Sequence, residues 1–119
     1  MAQNSLGMMY DLGKGVPEDA ERGNDWYKKA AEQGDAEAMH NLGINYAYGK
    51  GVPKDMVEAF KWLDLARWST QFATNMKIKW TIRHDLDDLK QKMTNEEIRQ
   101  GEERSRVWSQ AWIEKSRKK

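Results

Sequence analysis

One stretch of this chain is written twice. Residues 5–19 read SLGMMYDLGKGVPED, and residues 41–55 read NLGINYAYGKGVPKD. Nine of the fifteen positions are identical: Leu6/Leu42, Gly7/Gly43, Tyr10/Tyr46, Gly13/Gly49, Lys14/Lys50, Gly15/Gly51, Val16/Val52, Pro17/Pro53 and Asp19/Asp55, each pair 36 residues apart. The same offset carries Trp26 onto Trp62 and Ala30 onto Ala66. A fixed period of this size marks a stacked repeat, in which each unit buries its apolar face on its neighbour. At 119 residues the chain is one domain or part of a longer array.

Each repeat reads as two helices with punctuation between them. Residues 2–12 form the first helix, which Gly13–Gly15 break, because glycine takes the left-handed conformation that ends helices. Val16-Pro17-Glu18-Asp19 then opens the second helix, with Pro tolerated in a first turn and Asp a good N-cap. That helix runs to about Gln33, and Gly34-Asp35 stops it and starts the next. The second repeat follows the same plan, with helices over 36–48 and about 55–68. Gly7 and Gly43 sit inside helices, where Gly costs up to ~1 kcal/mol relative to Ala. A cost repeated at the same place implies a close approach of the paired helix, assisted by Ala30, Ala38 and Ala66. Tyr10, Tyr46, Trp26 and Trp62 are expected to fill the space between layers.

These residues resemble the Sel-1-like repeat family, relatives of the tetratricopeptide repeats. The family pattern L-G-x-x-Y-x-x-G-x-G-V-x-x-D, then an Ala, then W-Y-x-K-A-A-x-x-G, is met almost fully by residues 6–34 and again by residues 42–66. Leu63 stands where the family has Tyr, and Gly23 stands where it has Ala, which is expected to soften the second helix. The resemblance implies an all-α fold: an α-solenoid, a right-handed α/α superhelix, of two helix-turn-helix repeats plus a C-terminal capping helix pair.

The third unit is degenerate. The Gly-x-Gly-Val-Pro loop is absent there, and Asp85-Leu86-Asp87-Asp88 takes its place. A continuous helix is therefore expected from about Thr70 to Lys92, with Phe72, Met76, Ile82, Leu86, Leu89 and Met93 at helical spacing. Thr94-Asn95-Glu96-Glu97 is a capping box. It opens a last helix to about Ser116, with Ile98, Ser105, Trp108 and Trp112 along one face. Thr94, Glu96, Ile98, Arg106 and Trp108 resemble the segment that closes arrays of this family; Asn95, Gly101 and Arg104 depart from it. The organisation is thus repeat 1–34, repeat 35–69, degenerate helix and cap 70–116, and basic tail 117–119. A cap is needed because an end repeat otherwise exposes an apolar face.

Function has to be sought on the surface such a scaffold presents. The resemblance implies that the first helix of each pair lines the inner face, and the offset sets its positions in three columns: Met8, Ile44 and Trp80; Asn4, His40 and Met76; Leu12, Tyr48 and His84. A surface this rich in large apolar groups exceeds a scattered background. It suits an extended peptide or a partner's amphipathic helix, with His40, Tyr48 and His84 giving polar selectivity. The alternatives are that the cap or a second copy of the chain covers these residues, the latter making a homodimer, or that they are ordinary core. Net charge is +1, which argues against nucleic acid, and no apolar run approaches the ~20 residues of a membrane span. The chain has no cysteine and shows no signal peptide at its start, so a cytoplasmic location is expected.

A β-lactam-binding or hydrolysing enzyme is the less favoured alternative, and no cofactor is expected. Ser5, Ser69, Ser105 and Ser109 have no positioned base. Gly13-Lys14-Gly15 lacks the length and the Ser/Thr of a phosphate loop. His84 lies one turn before Asp87 and Asp88, a weak metal face, and His40 has no nearby carboxylate except Glu37. Some secreted members of the family are associated with binding or hydrolysing β-lactams, but those are cysteine-rich and this chain is not.

Overall fold

The structure, a computed structural model, describes residues 2–71 and 74–118. Six helices occur among the described residues: α1 (Ala2–Leu12), α2 (Ala20–Glu32), α3 (Ala36–Tyr48), α4 (Met56–Ser69), α5 (Met76–Gln91) and α6 (Asn95–Arg117). No strand occurs among the described residues, and none of their helices is long and apolar enough to cross a membrane. The expected start signals operate. The side chains of Asp19, Asp35 and Asp55 cap α2, α3 and α4 by accepting hydrogen bonds from first-turn backbone N–H groups, and Thr94 and Glu97 form the reciprocal capping box of α6. The loop repeats bond for bond: Lys14 N donates to Met9 O and Asp19 N to Tyr10 O, as Lys50 N does to Asn45 O and Asp55 N to Tyr46 O.

The helices pack as the period requires. α1 pairs with α2 and α3 with α4, the pairs meet through α2 and α3, and α5 and α6 each pack on α4. The mid-helix glycines mark the crossings. A Cβ on Gly43 would lie 2.9 Å from Leu63 Cγ, and one on Gly7 would lie 2.5 Å from the Tyr27 ring. In the first pair the partner position is also glycine, and a Cβ on Gly23 would lie 2.9 Å from the carbonyl oxygen of Gly7. Gly23 therefore does not break α2, which runs through it from Ala20 to Glu32; it lets α1 and α2 touch backbone to backbone. Ala30, Ala38 and Ala66 are buried as expected, in a core with Tyr27, Met39, Leu42, Trp62 and Leu65. A second cluster, Phe60, Leu63, Leu86 and Leu89, joins α4 to α5.

Three expectations need correction. The helix expected from Thr70 begins instead at Met76. The Thr70 hydroxyl donates to Ala66 O and Arg67 O and closes α4, and the Asn75 side chain accepts from Ile78 N and opens α5. Phe72, placed in that helix, lies outside the described residues, as does Lys119 of the basic tail. Of the four aromatics expected between layers, only Trp62 is fully buried, while Tyr10, Trp26 and Tyr46 are half-buried. The difference is cover: Trp108 of α6 meets Trp62 edge-on at 5.6 Å, whereas the Lys29 ammonium lies over Trp26 at 4.6 Å. Met76, expected to pack with Ile82, Leu86 and Leu89, is 71% exposed at the first turn of α5.

The cap is held by tryptophans. Trp108 stacks on Trp112 at 6.4 Å, Trp112 meets Trp68 edge-on at 6.0 Å, and its indole N–H donates to Glu32 O at 3.0 Å. Gly101, one of the departures from the closing pattern, is buried against Phe60, where a Cβ would lie 2.5 Å from the ring. Its missing side chain brings α6 onto α4.

Candidate functional site

The nine groove positions lie on α1, α3 and α5, and the structure divides them. Tyr48, Met76, Trp80 and Leu12 are 73%, 71%, 66% and 49% exposed, far beyond what their apolar area would favour. His84 is exposed as well, and its ring stacks on Trp80 at 4.9 Å and 20° between planes. Met76, Trp80 and His84, with Lys79, Arg83 and Asp87, line a shallow depression of about 400 Å³ along α5. Met8 and Ile44 are half-buried, packed against the two core clusters.

Asn4 and His40 are engaged inside the fold rather than offered to a partner. Asn4 is 7% exposed; its amide donates to Glu37 at 2.8 Å, and its carbonyl accepts from Asn41 at 3.3 Å. These bonds tie α1 to α3. His40 is not isolated, as its sequence neighbours suggested. Its Nε2 lies 2.6 Å from Asp85 Oδ2, 45 residues away, and this contact ties α3 to α5. His84 Nδ1 lies 3.7 Å from the other oxygen of Asp85, so one carboxylate stands between the two imidazoles. Among the described residues, no group of three or more His, Asp or Glu side chains could hold a metal ion.

Sequence reasoning missed a polar network that joins the two repeats. Lys50 Nζ reaches back to Asp11, 2.9 Å from Oδ1 and 3.0 Å from its carbonyl oxygen, and lies 3.6 Å from Glu18. The Tyr27 hydroxyl donates to the other Asp11 oxygen at 3.0 Å. Asn24 donates to Lys50 O at 2.9 Å and accepts from Asn45 at 2.7 Å. Burial, then the Asp11 charge, pushes the Tyr27 hydroxyl well above the ordinary tyrosine range. The hydrogen bond to Asp11 raises the Lys50 ammonium, outweighing the opposing effect of burial. Burial also raises Tyr46, with smaller effects from Glu58 and Asp55.

The signal for this network lies in two coupled differences between the repeats. At the offset of 36, Asp11 becomes Ala47 and Tyr27 becomes Leu63. Both polar groups disappear where no third Gly-Lys-Gly loop follows to supply a lysine. What stands there instead is a cleft of about 140 Å³ between α3, α4 and α5, lined by apolar residues that include Ile44, Ala47, Leu63 and Leu89 and by the charged groups of Lys54, Asp85, Asp88 and Lys92.

Comparison with known proteins agrees with this geometry. A family model described as Sel1 repeat matches residues 1–35 and 36–67. Two solved structures are similar. One is c5321, a protective antigen present in uropathogenic Escherichia coli strains and displaying an SLR fold: it is 31% identical at a TM-score of 0.77, over 99% of this chain and 25% of that one. The other is a Sel1 repeat protein from Oxalobacter formigenes, 52% identical at a TM-score of 0.57, over 58% of this chain and 28% of that one. The chain thus spans about a quarter of the length of each. No curated protein sequence matches it.

Proposed function

The chain belongs to the Sel1 repeat family, and from that premise we propose that it is a non-enzymatic protein-interaction module whose binding face is the side shared by α1, α3 and α5. The observation that supports this reading is the high exposure of Tyr48 on α3 and of Met76 and Trp80 on α5. Large amphipathic rings on rigid helices give contact area with little loss of side-chain freedom on binding, which is why Trp and Tyr dominate binding hot spots. The hydrogen bonds of Asn4 and His40 support the reading indirectly. They hold the three helices in register, so the face is formed before a partner arrives. Of the nine positions, Leu12, Tyr48, Met76, Trp80 and His84 make the contact surface, Met8 and Ile44 its floor, and Asn4 and His40 its bracing. The partner is a peptide or a helix of another protein, and the location is proposed to be cytoplasmic.

The test is a peptide selected from a random displayed library, titrated into isotopically labelled protein. The expected result is that backbone amide shifts gather on α1, α3 and α5 around Leu12, Tyr48 and Trp80. Shifts confined to α6, around the 53% exposed Val107, would move the binding face to the cap. If instead sedimentation shows a mass that rises with concentration and falls back on Trp80→Ala, the face serves self-association and the proposal fails.

A further inference from the structure

The two repeats differ at one place in a way that rewrites chemistry. In the first repeat, Asp11 and Glu18 meet the Lys50 ammonium, which enters from the next repeat's loop, and the Tyr27 hydroxyl donates to the second oxygen of Asp11. Thirty-six residues on, the same three positions are Ala47, Lys54 and Leu63. A carboxylate and a hydroxyl have become apolar, and the second carboxylate has become a cation. The position that would supply the entering lysine is Leu86, and it is buried in the core. Leu86 packs with Leu63 and Ala47 rather than reaching into a charged seat, and the cleft left open beside them has an apolar wall where the first repeat has a carboxylate and a hydroxyl.

This cleft of about 140 Å³ has the size of a single side chain. Apolar cavities of about 150 Å³ take up benzene. Its other charges are already matched: Asp85 lies 2.6 Å from His40, and Asp88 lies 3.5 Å from Lys92. Among the described residues, Lys54 is the one charged group of the lining with no ion-pair partner. Tyr48 stands at the same cleft and belongs to the exposed face, so the cleft and the face are continuous.

We propose that this cleft receives one apolar side chain, of leucine to phenylalanine size, from a partner segment that places a carboxylate beside it against Lys54. The inference rests on the interaction reading above and names the partner's chemistry. Specificity follows from the lining. A lysine inserted here would meet Ala47 and Leu63 in place of a carboxylate and a hydroxyl, beside the Lys54 and Lys92 ammonium groups and with Asp85 and Asp88 already paired to His40 and Lys92. An apolar side chain would leave no buried polar group unpaired.

Random-peptide selection on the wild-type chain should enrich sequences in which Leu, Met or Phe adjoins Asp or Glu. The variant Ala47→Asp/Lys54→Glu/Leu63→Tyr, which rebuilds the first repeat's lining, should switch enrichment to lysine-bearing sequences. A second measurement covers the case in which that variant does not fold. Wild-type protein with labelled methyl groups is titrated with 3-methylbutanoate and, separately, with 3-methylbutylammonium. Shifts at Ile44, Leu63 and Leu89 should saturate at a concentration threefold or more lower for the carboxylate. Equal or reversed preference, or shifts away from these methyls, overturns the proposal. Peptides whose contacts map to Met76 and Trp80 and leave the cleft methyls unmoved overturn it while the interaction reading stands. No enrichment on the wild-type chain and no methyl response overturn both.

Discussion

The second glycine of the repeated loop offers a comparison in which one substitution is made twice. Gly15 and Gly51 are equivalent, both at positive φ, +80° and +74°. Alanine at either site carries the left-handed penalty of an L-residue, roughly 1–2 kcal/mol. Their surroundings differ. A Cβ on Gly15 meets nothing within 4 Å, whereas one on Gly51 lies 2.6 Å from the Ala20 carbonyl carbon, 2.7 Å from its Cβ and 2.8 Å from its oxygen. Those atoms open α2, where the Asp19 side chain accepts from Arg22 N, so they cannot yield by rotating a side chain. Overpacking against a fixed wall costs about 1–3 kcal/mol more. Gly51→Ala should therefore exceed Gly15→Ala in destabilisation by about 1–3 kcal/mol, or some 4–12 °C in Tm at about 4 °C per kcal/mol. Urea denaturation followed by far-ultraviolet circular dichroism and by tryptophan fluorescence gives the two values. Both probes are needed because repeat arrays do not always unfold in one step. Agreement of the two variants within about 0.5 kcal/mol would refute the reasoning that this loop is the contact between repeats rather than a turn alone.

Two further perturbations test the cap and the network between repeats. Gly101→Ala forces a methyl into the Phe60 ring and should destabilise the chain by about 1–3 kcal/mol, with red-shifted tryptophan emission as α6 lifts from Trp62 and Trp68; an unchanged Tm and spectrum would remove the close-approach argument. The Tyr27 and Lys50 pKa values are both raised in the folded state, above 10.0 and 10.5 respectively. Between its unfolded and folded values, each group holds its proton in the folded chain and has lost it in the unfolded chain, so stability falls as pH rises. Their contribution is complete below pH 10 and is lost above it. In a thermal-melt series, Tyr27→Phe/Lys50→Met should give a shallower alkaline decline than wild type, and identical slopes would contradict the network.

Much of the scaffold was legible because local signals and the period agreed. Helices α1 and α3 fall where glycine and aspartate punctuation placed them, and the Thr94 capping box opens α6. The misplaced start of α5 has a local cause. Apolar spacing runs across Thr70–Asn75 unbroken, while the break is made by two side chains, Thr70 and Asn75, bonding to backbone. Such competition leaves no mark on hydrophobic periodicity. The candidate face was half legible. Columns at an offset of 36 are the basis for proposing which residues share a side, and they carry no mark of which are already bonded. Asn4 spends its amide on Glu37, and His40 finds Asp85 from across the fold, a contact without any sequence-local trace. The cleft does leave a mark in the sequence, the joint change of Asp11 to Ala47 and Tyr27 to Leu63 at the offset of 36.

Central to this account is the claim that the α1, α3 and α5 side binds protein, with Trp80 as its anchor. The most direct measurement is the Kd of a library-selected peptide for the wild-type chain and for Trp80→Ala, by calorimetry. Trp80 is 66% exposed and outside the buried core, so its removal should leave Tm within about 2 °C of wild type. Loss of a hot-spot tryptophan costs about 2 kcal/mol or more, which is affinity weakened roughly 30-fold or more. A Kd unchanged by Trp80→Ala in a folded protein would contradict the account.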